Sequence, residues 1–88
     1  MAETEHVITV EVRVALKTGI LDAEAESIEK SLKLLGLAEL TGVHTARVYV
    51  LTFTGLSEEE ARRRAQRAID QLLANPVIHR VELATRSA

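Results

Sequence analysis

The sequence predicts an α+β fold, a two-layer sandwich in the order β-α-β-α-β with two helices on one face of a sheet. Three observations support this prediction: a strand-like alternation near the start, two amphipathic segments that begin with helix caps, and a further apolar segment after each of them. With 88 residues the chain is long enough for one domain, which we place at residues 1–88 with its core at about residues 7–83.

The first strand is predicted over residues 7–17. Its apolar side chains occupy the even positions from Ile8 to Leu16, whereas most of the odd positions, from Thr9 to Lys17, are polar or charged. This period of two, in a segment rich in β-branched residues, is typical of a strand with one buried face. Thr18 and Gly19 then end the strand.

Both helices carry recognisable end signals. The first is predicted from Ala23 to Leu35, with Asp22 as its N-cap and Gly36 as its terminator. The second follows Ser57, which forms a capping box with a glutamate three residues later, and it ends at Asn75-Pro76 because proline cannot continue a helix. Alanines dominate its apolar stripe, so this helix can lie close to a sheet.

The second β region, residues 43–53, is apolar at both odd and even positions. We therefore expect it to be buried on both sides, bent, or covered by a partner. A third strand is predicted over residues 77–83, followed by a loose tail from Ala84. Helical crossovers tend to return a chain in the same direction, so the strands are expected to run roughly parallel. The space between them would be filled by a hairpin within residues 43–53 or by a strand from another copy.

Composition limits the possible functions. There is no cysteine, which excludes disulfide and thiolate chemistry and favours a cytoplasmic location. No apolar run approaches the roughly 20 residues of a membrane span. The net charge is −2 and only two aromatic residues occur, so we expect no nucleic-acid partner and no membrane partner.

The sequence predicts no catalytic, cofactor-binding or metal-binding residues. The histidines His6, His44 and His79 have no second ligand at a spacing that metal sites use. Each glycine marks an element boundary, and no phosphate-binding loop is present. The arginines of the second helix are flanked by glutamates, so they are interpreted as a solvated, salt-bridged surface.

Arg47 differs from those arginines because it lies in a mostly apolar strand. An unpaired charge inside such a strand is costly. We therefore expect Arg47 to have a carboxylate partner or to emerge at an interface.

Four segments, in this order and spacing, resemble motifs of the PurS family, the small subunit of phosphoribosylformylglycinamidine synthase. The resemblance covers about residues 7–83. The segments are Lys17-Thr18-Gly19-Ile20-Leu21-Asp22, Leu34-Leu35-Gly36, Ala46-Arg47-Val48 and Leu72-Leu73-Ala74-Asn75-Pro76-Val77-Ile78. The chain departs from the family pattern at Tyr49-Val50, where a glycine and a lysine are usual, and at His79-Arg80, where an acidic pair is common.

The resemblance implies a fold related to the ferredoxin-like fold and a non-catalytic role in de novo purine biosynthesis. The implied partners are a second copy (a homodimer, possibly a tetramer), a glutaminase subunit and a large synthetase subunit. The chain would bridge these two subunits and support ammonia transfer, while the complex uses ATP and glutamine and this chain binds no cofactor. The candidate interface residues are Arg47, Tyr49, Asn75 and Pro76. The alternative function is a ferredoxin-like regulatory module that binds a small ligand.

Overall fold

The computed structural model describes residues 6–87, so both limits of the expected domain, residues 1 and 88, lie outside the described part. The elements are β1 (Val7–Leu16), α1 (Ala23–Leu34), β2 (Ala46–Thr54), α2 (Glu58–Ala68) with its π-helical continuation Ile69–Leu73, and β3 (His79–Ser87). This order confirms the predicted α+β class and the β-α-β-α-β arrangement.

β1 is the central strand, and its alternation builds the core. Its even-numbered side chains, including Val10 and Val12 at 0% exposure, face α2. Across from them Ala61 and Ala65 are also fully buried, and Ile69 closes the cluster at the start of the π-helical segment. The small alanines allow α2 to lie close to the sheet. Each fully buried valine contributes about 1.5–3 kcal/mol.

The sheet has the order β2-β1-β3, and both neighbours run antiparallel to β1. The expectation of roughly parallel strands is therefore wrong. The crossover through α2 does return the chain in the direction of the preceding strand, because β2 and β3 run parallel to each other on either side of β1. The connection through α1 reverses the chain instead, because α1 extends away from the sheet and the chain rejoins the sheet at the end where β1 stops.

β2 pairs continuously with β1, from Val7 opposite Thr54 to Ala15 opposite Ala46. This pairing excludes a hairpin within residues 43–53, which was one of the two alternatives for filling the space between the strands. β3 also runs further than expected, since Ser87 pairs with Ile8 and the Thr85 hydroxyl donates to Glu58 Oε2 at 2.6 Å. The loose tail predicted from Ala84 is thus a strand, because β1 offers a backbone edge along its whole length.

α1 and the return segment, residues 35–45, form an extension that we call the arm. Within the described chain α2 contacts β1 and β3, whereas α1 makes no comparable contact with the sheet and buries only Ala25. Gly36, at φ +107°, ends α1 in a left-handed conformation that glycine adopts readily. The arm makes the molecule long, with principal extents of 57 × 28 × 14 Å, and it leaves α2 as the helix that covers the sheet within one chain.

Candidate functional site

Most of the residues that the sequence singled out lie at one end of the sheet. β1 finishes there at Leu16, and β2 and β3 begin there at Ala46 and His79. The arm leaves and rejoins the sheet at this end, which we call the arm end. It has two faces, the one covered by α2 and the open face on the other side.

Asp22 joins the start of the arm to its finish. Its Oδ1 accepts a hydrogen bond from the Ala25 N–H at 2.9 Å, which confirms the predicted N-cap. Its Oδ2 accepts from the Thr45 hydroxyl at 2.7 Å and from the Thr45 N–H at 3.4 Å. These bonds favour the ionised carboxylate, so they lower the pKa of Asp22, the Thr45 hydroxyl most and the Ala25 amide next, with a smaller contribution from the charge of His44. One carboxylate thus fixes both ends of the arm.

Asn75 holds the turn between the π-helical segment and β3. Its carbonyl accepts from the His79 N–H at 2.8 Å, and its own N–H donates to His79 Nδ1 at 2.8 Å. Its side-chain oxygen accepts from the Val77 N–H at 2.9 Å. Asn75 therefore has a structural task, while the neighbouring Pro76 is exposed. The candidate interface role of both residues stays a prediction.

Arg47 emerges at the arm end, on the face covered by α2. It is exposed, and no ion pair involves it within residues 6–87. It lines a cavity of about 420 Å³ together with Glu24, Leu73 and His79. Of the two expectations for Arg47, a carboxylate partner is thus not observed in the described chain, and a contact at an interface stays a prediction.

Tyr49 lies two residues further along β2 on the same face. It is half-buried, pairs with Val12 and packs against the core. Arg47 and the Asn75–His79 turn therefore meet around one cavity, whereas Tyr49 belongs partly to the core. Its role at an interface is likewise still a prediction.

The apolar character of β2 at both parities has a simple structural basis. Leu51 and Phe53 pack under α2 with Tyr49, but Val48 and Val50 point to the open face and are 55% and 58% exposed. Burial on both sides is therefore excluded within residues 6–87, and the continuous pairing excludes a bend that interrupts the ladder. Cover by a partner is the alternative that remains.

Charged residues on the other strands of the open face pair across the sheet. Arg13 lies 3.6 Å from Glu82, and Arg86 lies 3.6 Å from Glu11. Exposed pairs of this kind contribute at most about 1 kcal/mol each. The open face is thus polar along β3 and apolar along the edge of β2.

Two arginines of α2 form the predicted salt bridges, whereas Arg62 and Arg67 form none within residues 6–87. Arg63 pairs with Glu59 at 3.3 Å and also with Glu60, and Arg64 lies 3.8 Å from Glu60. Ser57 Oγ accepts from the Glu60 N–H at 3.1 Å, which confirms Ser57 as the cap. Within residues 6–87 no cluster of His, Cys, Asp and Glu could hold a metal ion, and no helix is long and apolar enough to cross a membrane.

Both helices and all but the first two residues of the sheet match a known family. Residues 9–87 fit the family model PurS, described as phosphoribosylformylglycinamidine (FGAM) synthase. The chain belongs to the PurS family. A family relative, the PurS subunit of this synthase from Archaeoglobus fulgidus, is 37% identical over 76 residues, which cover 86% of this chain and 95% of the relative.

Solved PurS structures share the fold. The crystal structure of Methanocaldococcus jannaschii PurS, one of the subunits of formylglycinamide ribonucleotide amidotransferase in the purine biosynthetic pathway, matches with a TM-score of 0.80. It is 29% identical, and the match covers 90% of this chain and 95% of that one. A chain in the structure of PurLQS from Thermotoga maritima matches with a TM-score of 0.76 at 21% identity, covering 93% and 98%, which shows the shared fold.

Thr45 is the residue that sequence reasoning missed. It lies 23 positions from Asp22, and nothing in its neighbourhood signals a tertiary contact. The exposed position of α1 was missed as well, because an apolar stripe shows that a helix face needs cover without showing what covers it.

Thr45→Val tests the bond at the base of the arm. It removes the hydroxyl that donates to Asp22 while keeping the branched shape, so the pKa of Asp22 should rise toward the ordinary value. Carboxyl ¹³C titration by NMR measures this change. Thr52→Val, at an exposed threonine of β2, is the matched control and should leave the Asp22 pKa unchanged. An Asp22 pKa that is the same in Thr45→Val as in the wild type would contradict the assignment.

The same variant should alter the acid sensitivity of the fold. Because the folded-state pKa of Asp22 lies below its unfolded value, ionised Asp22 stabilises the native state above the ordinary aspartate pKa. That stabilisation is lost as the pH falls through the lowered pKa. Thr45→Val should therefore lose less stability than the wild type over this acid range, as measured by urea unfolding at a series of pH values.

Proposed function

We propose that this chain is a non-catalytic assembly subunit of a phosphoribosylformylglycinamidine synthase complex in de novo purine biosynthesis, acting in the cytoplasm. It bridges a glutaminase subunit and an ATP-dependent synthetase subunit and supports the passage of ammonia between them. Glutamine and ATP are used by those subunits, and this chain binds no cofactor. The observation that carries the proposal is the match to PurS along residues 9–87.

The use of the polar side chains supports an assembly role. Asp22, Ser57 and Asn75 hold helix ends and turns, and His79 accepts a backbone hydrogen bond. These side chains are of types that take part in catalysis in other proteins, but here they form hydrogen bonds that stabilise helix ends and turns. Beside these groups, the chain exposes several large apolar side chains.

Two apolar surfaces lie on different parts of the chain. One is on the arm, where Leu34 and Leu35 are 88% and 79% exposed. The other is the corner before β3, where Leu72 and Val77 are 84% and 75% exposed on either side of Pro76. A bridging subunit needs more than one docking surface, and exposed apolar side chains are what protein interfaces bury at their centres.

We assign the surface on the arm to a second copy, which makes the chain at least a homodimer. A chain of this length buries a modest share of its surface alone, and pairing two arms adds apolar burial. The corner with Leu72 and Pro76 then remains available for the glutaminase or the synthetase. Arg47 is exposed at the arm end, where its guanidinium is free to donate to a partner carboxylate.

Reconstitution with the glutaminase and synthetase subunits of the same organism tests the proposal. We expect the three chains to co-purify, glutamine-dependent amidation to require this chain, and the isolated chain to show neither activity. Turnover of glutamine by the isolated, contaminant-free chain would refute the proposal. So would full glutamine-dependent activity of the other two subunits without it.

Within that assay Arg47→Ala should weaken assembly and Arg63→Ala should not. The Arg47 guanidinium has no ion pair in the described chain, whereas Arg63 is engaged by Glu59 and Glu60 on its own helix. Loss of a charged contact at an interface should reduce the yield of complex at least about fivefold, or roughly 1 kcal/mol. Equal yields from the two variants would remove Arg47 from the interface.

Leu35→Asp tests the arm as the homodimer surface. Burying a leucine is worth roughly 2 kcal/mol, so this variant should lower the association constant of the isolated chain by more than about tenfold. Sedimentation equilibrium across micromolar concentrations measures the change. Leu72→Asp, at a leucine of similar exposure on the other surface, is the control and should leave self-association intact. A loss with Leu72→Asp but not with Leu35→Asp would reverse the assignment.

A further inference from the structure

Three cationic side chains surround Ala15 on the open face at the arm end. Strand alternation places Arg13 and Ala15 on this face, and Ala15 pairs with Arg80 of β3. Lys17 follows directly after the end of β1. The methyl group of Ala15 fills little of the space between these longer side chains. Lys17 is fixed in register, because its N–H donates to the Ile78 carbonyl at 2.8 Å.

These side chains line a cavity of about 360 Å³. The turn after β1 forms one wall, where Gly19 adopts φ +91° and no atom lies near the position that a Cβ would take. His44 and Thr45, at the end of the arm, form another. The cavity thus has a mixed polar and apolar lining supplied by β1, β3 and both ends of the arm, and its volume is within the range of small-molecule sites.

The charge in this cavity is unbalanced toward positive. Within residues 6–87, no carboxylate lies within ion-pair distance of Lys17 or Arg80. Arg13 forms an ion pair with Glu82 at 3.6 Å. The carboxylate in the wall, Asp22, already accepts three hydrogen bonds from Ala25 and Thr45. It is therefore poorly available to neutralise the cations. A chain of net charge −2 thus carries a local site of the opposite sign.

We propose that this cavity binds a small anion with a phosphate group, either inorganic phosphate or a phosphate monoester. The forked guanidinium donors of Arg13 and Arg80 suit the tetrahedral oxygens of phosphate, and Lys17 adds a point charge between them. Binding would also relieve the mutual repulsion of three cations held on adjacent strands. The site goes beyond the assembly role, since it gives the arm end a ligand that can stabilise it.

Titration of the full-length ¹⁵N-labelled chain with sodium phosphate, at constant ionic strength set with sodium chloride, tests the site. We expect saturable amide shifts at Lys17, Gly19 and Arg80, and a melting temperature that rises with phosphate because ligand binding favours the native state. Lys17→Gln and Arg80→Gln should each weaken binding about tenfold, as expected for loss of a charge-assisted contact. Arg62→Gln, at an exposed arginine of α2, is the matched control and should bind as the wild type does.

A parallel titration with ribose 5-phosphate separates the two sources of the phosphate group. Tighter binding of the ester identifies a phosphate monoester as the ligand, and equal binding identifies the phosphate group alone. The absence of saturable shifts with both compounds would overturn the proposal, as would equal weakening by Arg62→Gln. The experiment uses no other subunit, so its failure would be distinct from a failure of the assembly role.

Discussion

The return of the arm to the end of the sheet from which it leaves is the constraint around which the rest of the architecture is arranged, and the hydrogen bonds between Asp22 and Thr45 secure it. They hold the first residue before α1 against the last residue before β2, so the arm must leave and return at one end of the sheet. β2 pairs antiparallel with β1 and forms an edge of the sheet. The same geometry carries α1 away from the core, and it creates both the exposed surface of the arm and the polar cavity at its base.

The remainder of the fold is a sheet with two unlike faces. On one face β1 and α2 build a core of valines and alanines tight enough to leave Val10 and Val12 fully buried. The other face has no helical cover within the described chain, and it combines cross-strand ion pairs with the exposed valines of β2. Such a division suits the proposed assembly role, because one side stabilises the monomer while the other side and the arm remain available for contacts.

Local signals in the sequence were sufficient for the elements and insufficient for their arrangement. The alternation of β1 and the caps Asp22 and Ser57 are recorded in neighbouring residues, and they placed the first strand and both helix starts correctly. Strand direction was mispredicted because the crossover rule assumes that a helix packs back onto its own sheet. The apolar stripe of α1 could not reveal that this assumption fails, since such a stripe does not identify the surface that covers it.

The site was recoverable only in part for the same reason. Arg47 could be singled out because a charged residue within an apolar strand segment is already visible in the sequence. Thr45 and the cluster of Arg13, Lys17 and Arg80 are brought together by contacts between distant parts of the chain. A periodic pattern in the sequence does not reveal such contacts, so these residues could not be predicted. The motif at Asn75-Pro76 was visible in the sequence. Its main task, the hydrogen bond between Asn75 and His79 across the turn, could be identified only from the structure.

Hydrogen–deuterium exchange of the isolated chain at increasing protein concentration tests most directly whether the arm is covered by a second copy. The amides of α1 should become more protected as the concentration rises, because self-association buries the arm, while those of β1 should keep the same protection throughout. Protection of α1 that stays independent of concentration across the range in which the chain self-associates would contradict the account.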